Sequence, residues 1–252
     1  MTINLKNVLA AAVMAAAASQ ASAAPIALFN ADFETGNLSG WNTIGTVSAT
    51  PSTTVTTYDN VVWSIFANGT TMAQLNSNGS DINAIESAIG LTSGTLNALN
   101  TNPNGGDLTN GSALYRTFTA ASGDTIALSW DYVATDYIPY NDPAFAVLVG
   151  PNASVTVLAS IHGAGQMVGT SGHSGWQTFS HTFSVAGNYT LAFVTTNDKD
   201  FALDSVLFID NTAGSCTPNC PPPTTVPEPT SMALLGIGAL GLLMSRRRTS
   251  AH

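Results

Sequence analysis

Only 8% of the 252 residues are charged, where a soluble domain averages about 25%. Six Lys and Arg against fifteen Asp and Glu give a formal net charge of −9 and an isoelectric point near 4.4, which excludes nucleic acid as a partner because a phosphate backbone needs a basic patch. Much of the 44% hydrophobic content lies at the two ends, so the mean hydropathy of +0.19 describes neither the ends nor the middle.

Residues 1–23 carry one Lys at position 6, an apolar stretch from Val8 to Ala18, and then Ala21-Ser22-Ala23. A charged start, a short apolar run and small residues at the minus-three and minus-one places form a secretory signal peptide. Cleavage is expected after Ala23, because a cut after Ala24 would leave Pro25 immediately beyond it.

Toward the other end, residues 212–225 form a Cys- and Pro-rich spacer. Pro221, Pro222 and Pro223 remove main-chain donors and favour extended geometry outside a folded domain. Cys216 and Cys220 stand in an exported chain, where oxidation is permitted, and are expected to close a small disulfide loop. Their spacing is not Cys-x-x-Cys and no nearby His completes a metal set, which argues against zinc or redox chemistry.

After the spacer come Val226-Pro227-Glu228-Pro229, a 15-residue apolar run from Ser231 to Ser245, and Arg246-Arg247-Arg248. At about 1.5 Å per residue such a helix covers roughly 22 Å, short of a hydrocarbon core about 30 Å thick. It suits a temporary anchor, with the arginines held in the cytoplasm by the positive-inside rule. These parts, in this order over residues 226–252, resemble a PEP-CTERM protein-sorting signal. The resemblance implies recognition by an exosortase-type membrane protease and transient inner-membrane anchoring. Release or attachment at the surface of a Gram-negative, exopolysaccharide-making bacterium would follow.

Between the signals, residues 24–211 hold fourteen acidic residues against Arg116 and Lys199, a formal charge of −12. Thr, Val, Ser, Phe and Tyr dominate, in short runs separated by Gly, Asn, Asp and Pro. An alternation with period two is clear in Thr125–Val133, which puts Ile126, Leu128, Trp130 and Tyr132 on one face. It recurs in Trp176–Phe183, Tyr189–Val194 and Ala202–Ile209, and Ala186-Gly187-Asn188 predicts a hairpin over 176–196. One helix is expected over Ile82–Ile89, with Asp81 as N-cap and Gly90 as the stop. With no repeat at a fixed period, the pattern predicts an all-β fold, a single jelly-roll-like β-sandwich.

The segment Asn30-Ala-Asp-Phe33-Glu34-Thr-Gly36-Asn-Leu-Ser-Gly40-Trp41 resembles the opening strand and turn of galactose-binding-like jelly rolls, among them secreted carbohydrate-binding modules. Asp204-Ser-Val-Leu-Phe-Ile-Asp210 resembles their last strand. In that family the first and last strands lie together and commonly hold a structural Ca2+, which implies Glu34 and Asp204 as ligands with carbonyl oxygen from the Asn30 region. A second resemblance, to secreted bacterial domains that precede PEP-CTERM signals, runs through Ile85-Glu86-Ser87, Gly94-Thr95-Leu96 and Asn110-Gly111-Ser112-Ala113. It continues through Tyr137-Ile-Pro139-Tyr140-Asn141-Asp142 and Ser174–Phe179, and supports the domain boundary and surface location rather than an activity.

Calcium takes six to eight oxygen ligands, which an acidic secreted domain offers, and the turn Asp136–Asp142 is a second oxygen-rich candidate. For sugar stacking, Trp41, Trp63, Tyr137, Tyr140 and Trp176 are the aromatic candidates; Trp130 and Trp176 fall in alternation and read as core. Tyr137 and Tyr140, beside Pro139 in a polar turn, are the expected glycan-binding pair. No Gly-x-Ser-x-Gly elbow, His-Glu-x-x-His pair or phosphate loop is present, and His162, His173 and His181 form no motif. The sequence therefore predicts a noncatalytic, exported surface or matrix protein that is calcium-stabilised and binds exopolysaccharide. A secreted polysaccharide hydrolase and a purely structural surface protein stand as alternatives.

Overall fold

The computed structural model describes residues 24–211. The expected signal peptide, the Cys216 and Cys220 pair, the spacer and the sorting signal lie outside the described residues.

Fourteen strands and two helices follow the first turns: β1 (Asn42–Ile44), β2 (Thr46–Thr50), β3 (Thr53–Thr56), β4 (Val62–Ile65), β5 (Met72–Asn76), β6 (Ser80–Asp81), α1 (Ile82–Ile89) and α2 (Thr95–Ala98). Then come β7 (Leu108–Ala120), β8 (Thr125–Val133), β9 (Ala144–Val149), β10 (Ser154–Ser160), β11 (Gln166–Met167), β12 (Gln177–Thr182), β13 (Gly187–Asp198) and β14 (Val206–Asp210). One sheet runs β1-β7-β13-β9-β10-β11, with β6 also on β7; the facing sheet runs β12-β8-β14-β5-β2. All pairs are antiparallel except β10 with β11. The fold is a single β-sandwich, as the alternation predicts.

Period-two patterning explains the interior. Ile126, Leu128, Trp130 and Tyr132 of β8 all enter the cluster between the sheets, where they meet Leu191 and Phe193 of β13 and Leu207 and Ile209 of β14. The central strands of the larger sheet are buried on both faces. Phe145 and Val147 of β9, with Ala192 and Val194 of β13, turn outward under Ile82, Ile85 and Ile89 of α1 and Leu96 of α2. Both-face burial makes Ala144–Val149 a continuous apolar run without alternation, which is why no strand is legible there.

The smaller sheet is covered on its outer face by a third element. β3 and β4 form a separate two-stranded ribbon whose Val55 and Ile65 pack on Met72, Val133, Val206 and Phe208.

Two expectations change. Residues 176–196 are not a hairpin: β12 pairs with β8 and β13 pairs with β7 and β9, so the chain crosses between sheets at Phe183. Phe179 and Phe193 meet edge to face across the interior, ring centroids 5.9 Å apart, which buries both apolar faces more fully than pairing the strands side by side. The Asn30–Trp41 segment is a series of turns and contains no strand. Asn30 closes it by donating Nδ2 to the carbonyls of Asn37 and Ser39, at 2.8 and 3.1 Å, and accepting from Thr35 Oγ1 at 2.8 Å. Trp41 seals it, its Nε1 donating to the Asn30 carbonyl at 3.0 Å.

Candidate functional site

Strand β5 sets the chemistry of the smaller sheet's outer face. Ala73 and Leu75 point inward to the sandwich, so Met72, Gln74 and Asn76 point outward. Met72 is covered by the β3–β4 ribbon, but Gln74 and Asn76 remain half-exposed beside it. An open groove of about 420 Å³ results, with Gln74, Asn76, Asp204 and Val206 on its floor. Thr54–Tyr58 form one wall, with Thr135 and Leu203 beside them. Gln74 Nε2 donates to Asn76 Oδ1 at 3.1 Å, and Asp204 Oδ1 accepts from Asn197 Nδ2 at 3.3 Å.

One aromatic ring, that of Tyr58, lines the groove. Tyr58, 43% exposed, lies against Tyr137 with ring centroids 4.7 Å apart, and Tyr137 meets Tyr140 edge to face at 5.4 Å. The Tyr58 N–H donates to the Thr135 carbonyl at 3.1 Å, which ties the ribbon to the end of β8. The structure thus brings the expected pair Tyr137 and Tyr140 together and adds Tyr58, which the sequence shows only as one aromatic in a Thr-rich stretch. Neighbouring carboxylates, Asp200 first, push the Tyr140 phenol above its usual range.

The expected calcium pair is not brought together. Glu34 accepts from Thr70 N, Thr70 Oγ1 and Thr71 N at 2.8, 2.7 and 3.1 Å, just before β5 begins, whereas Asp204 stands beyond the other end of that strand. Five residues at about 3.3 Å each separate them by roughly 16 Å. Gly69, at φ +128°, makes the approach possible, since a Cβ there would sit 2.4 Å from Glu34 Oε1.

Glu34 meets the opposite end of the last strand instead, where Asp210 accepts from Asn68 N at 2.8 Å and from Asn211 N at 2.7 Å. Burial pushes Asp210 up to about 7, with the charges of Glu34 and Asp32 adding to the rise. Burial works against Glu34 as well, yet the Thr70 and Thr71 donors hold it below the usual carboxylate range. No three His, Cys or acidic side chains among the described residues converge into a metal-binding group. A hard cation near Glu34 and Asp210 would therefore complete its shell with carbonyl, amide or hydroxyl oxygens.

The oxygen-rich turn is an internal hub. Asp136, Asn141 and Asp142 are buried, and Asp142 accepts from Asp198 N and Ser205 Oγ, both at 2.9 Å. Burial pushes Asp142 well above the carboxylate range and Asp136 up to about 6. Asp136 Oδ1 accepts from Tyr137 N at 2.7 Å, while its buried Oδ2 has no hydrogen-bond partner.

The remaining candidates sit in structural roles. Trp130 is core, as expected, but Trp176, also expected as core, is half-buried, as is Trp63 of β4; both border the cluster on the smaller sheet's outer face, Trp63 donating to the Ser171 carbonyl and Trp176 to the Phe66 carbonyl. His173 Nε2 is 2.8 Å from Asp131 Oδ1 and stacks on Trp63, His181 lies on Phe183, and His162 Nε2 is 2.9 Å from Asn104 Nδ2.

Outside the described residues, positions 225–248 match the family model of the PEP-CTERM protein-sorting motif. The chain carries a PEP-CTERM sorting motif. That motif implies an exported, exosortase-sorted surface protein with transient membrane anchoring. Among the described residues, no helix is long and apolar enough to cross a membrane. No curated protein matches this chain. Among solved structures, TmCBM61 in complex with β-1,4-galactotriose aligns at a TM-score of 0.34 and 10% identity, over 74% of this chain and 95% of that one. A cleaved adhesin domain of Lys-gingipain from Porphyromonas gingivalis aligns at 0.36 and 16% identity, over 71% and 94%. A second cleaved adhesin domain of the same Lys-gingipain aligns at 0.31 and 10% identity, over 69% and 92%.

Proposed function

We propose that the sandwich is a noncatalytic surface module that binds exopolysaccharide in the groove beside β3 and β4. The observation that supports this reading is the pairing of an amide- and carboxylate-lined floor with Tyr58, which lines the groove and packs on Tyr137, itself packed on Tyr140. Sugar hydroxyls donate to carboxylate and amide oxygens and accept from amide N–H groups, and sugar C–H faces stack on aromatic rings. A single carboxylate, Asp204, lines the groove, where glycoside hydrolysis uses two flanking the scissile bond. The noncatalytic reading is favoured over the hydrolase for that reason.

In this reading the exosortase acts at the inner membrane on the Val226–Pro229 motif, the apolar run after it and Arg246–Arg248, and the sandwich is delivered to the surface of a Gram-negative cell. Cleavage after Ala23 leaves intact the pairing of Ala24–Ile26 with Thr125. A structural calcium in this reading takes Glu34 and Asp210, not Asp204, as its carboxylates and fills the rest of its shell with carbonyl, amide and hydroxyl oxygens. Asp204 is a groove residue.

Affinity electrophoresis tests the glycan reading. The full chain, kept in mild detergent, should be retarded in gels containing the producing cell's own exopolysaccharide, and Tyr58→Ala should lose most of that retardation. Loss of one stacking ring costs about 1 kcal/mol, a severalfold weaker interaction. Native mobility that is indifferent to the polysaccharide would overturn the reading and leave a structural surface protein.

A further inference from the structure

Charge defines which glycan the groove accepts. Asp204 lies on the floor, the exposed Asp59 follows Tyr58, and Asp200 raises the Tyr140 phenol. The described residues contain two basic side chains, and neither lines the groove. Arg116 donates to the Phe29 carbonyl at 2.7 Å and sits 5.5 Å over the Trp41 ring; Lys199 donates to the Asn104 carbonyl at 3.1 Å. An acidic polysaccharide would thus bring a charge on every residue into a field of its own sign, with no cation to receive it. Net charge of −12 over residues 24–211 extends that repulsion to the approach as well as the contact.

We propose that the groove selects a polysaccharide bearing unacetylated hexosamine, whose ammonium groups pair with Asp204 and pack on the Tyr58, Tyr137 and Tyr140 rings. This rests on the glycan-binding reading above and specifies its ligand class. Two physical terms act in the same direction. A partly exposed ammonium–carboxylate pair is modestly favourable, and an ammonium over an aromatic face adds a cation–π attraction. An N-acetyl group removes both by removing the charge, and a uronate reverses the first.

Calorimetric titration of the full chain in mild detergent tests this with three oligosaccharides of equal length: a glucosamine oligomer, its fully N-acetylated counterpart and an oligouronate. The free amine should bind about fivefold tighter than the acetylated form, with the uronate weakest. Asp204→Asn should narrow the gap between the free-amine and acetylated oligomers by removing the ion pair, leaving the smaller cation–π share. Raising the salt on the native protein, which needs no variant, should narrow the same gap as the charges are screened. Equal affinities, a salt-independent difference, or tightest binding of the uronate would overturn the amine assignment while leaving glycan binding in place. Absence of binding to all three, together with unretarded mobility in the exopolysaccharide gel, would overturn both.

Discussion

Single side chains in this fold do work that their residue type does not announce. Glu86 lies on α1, where a sequence reading gives a carboxylate to solvent, yet it is fully buried. Its two oxygens accept from Gly94 N and Leu96 N at 2.6 and 2.7 Å, capping the four-residue helix α2. In Glu86→Gln one of those main-chain donors loses its oxygen, so stability in urea unfolding should fall by about 1–3 kcal/mol. Asp136 behaves oppositely, because its buried carboxylate is raised to about 6 with Oδ2 unpartnered. A carboxylate whose pKa is higher folded than unfolded stabilises the fold most below its unfolded value, near 4, and that contribution is lost as pH rises through about 6. The melting temperature should therefore decline between pH 4 and pH 7, with Asp142 and Asp198, also raised by burial, contributing to the same slope. Asp136→Asn should flatten part of that decline and raise the melting temperature at pH 7; a slope identical to the native one would count against Asp136 as a source.

At the level of elements, local signals succeed where the chain's own chemistry decides the structure. Helix α1 occupies Ile82–Ile89 because Asp81 Oδ1 caps Asn83 N at 2.8 Å and Gly90 ends it at φ 81°. Strand β8 follows its alternation from Thr125 to Val133. Helix α2, by contrast, has no side-chain cap of its own and depends on Glu86 from a neighbouring element, so its four residues carry no local helix signature. The apparent hairpin fails for a related reason: Gly187 and Asn188 permit a turn but do not choose the sheet that each strand joins. Placement of β12 and β13 on opposite sheets makes Phe193, which is fully buried against Phe179, a bridge between layers. Phe193→Ala should cost about 3–5 kcal/mol with an unchanged denaturant slope, measured by equilibrium unfolding.

For the whole molecule, the ends of the sandwich chain are brought together by the turns at Asn30–Trp41 and the end of β14, with Thr70 and Thr71 between them. Asp210, at the end of β14, is pushed up to about 7 by burial, with the charges of Glu34 and Asp32 adding to the rise. A cation there would bind the folded chain and not the unfolded one. At a calcium concentration a hundredfold above Kd it adds about 2.7 kcal/mol. Calcium should raise the native melting temperature, chelator should reverse the gain, and Asp210→Asn should abolish the response in both directions. A native melting curve unmoved by chelator would remove calcium from the assignment.

The sequence by itself determines the sorting motif, the all-β class, helix α1 and the face of β8, since each depends on short-range order: a Pro-Glu-Pro, an alternation, a cap. It also picks out Tyr137 and Tyr140 from their place beside Pro139. Tertiary structure alone decides that Tyr58 joins them, that Asp204 belongs to the groove, and that Glu34 faces Asp210. Those pairings span 79, 130 and 176 residues of chain and follow from strand order. A period of two states which face a residue occupies but not which strand lies beside it, and the depth of the apolar burial between the two sheets, rather than any local preference, settles that order.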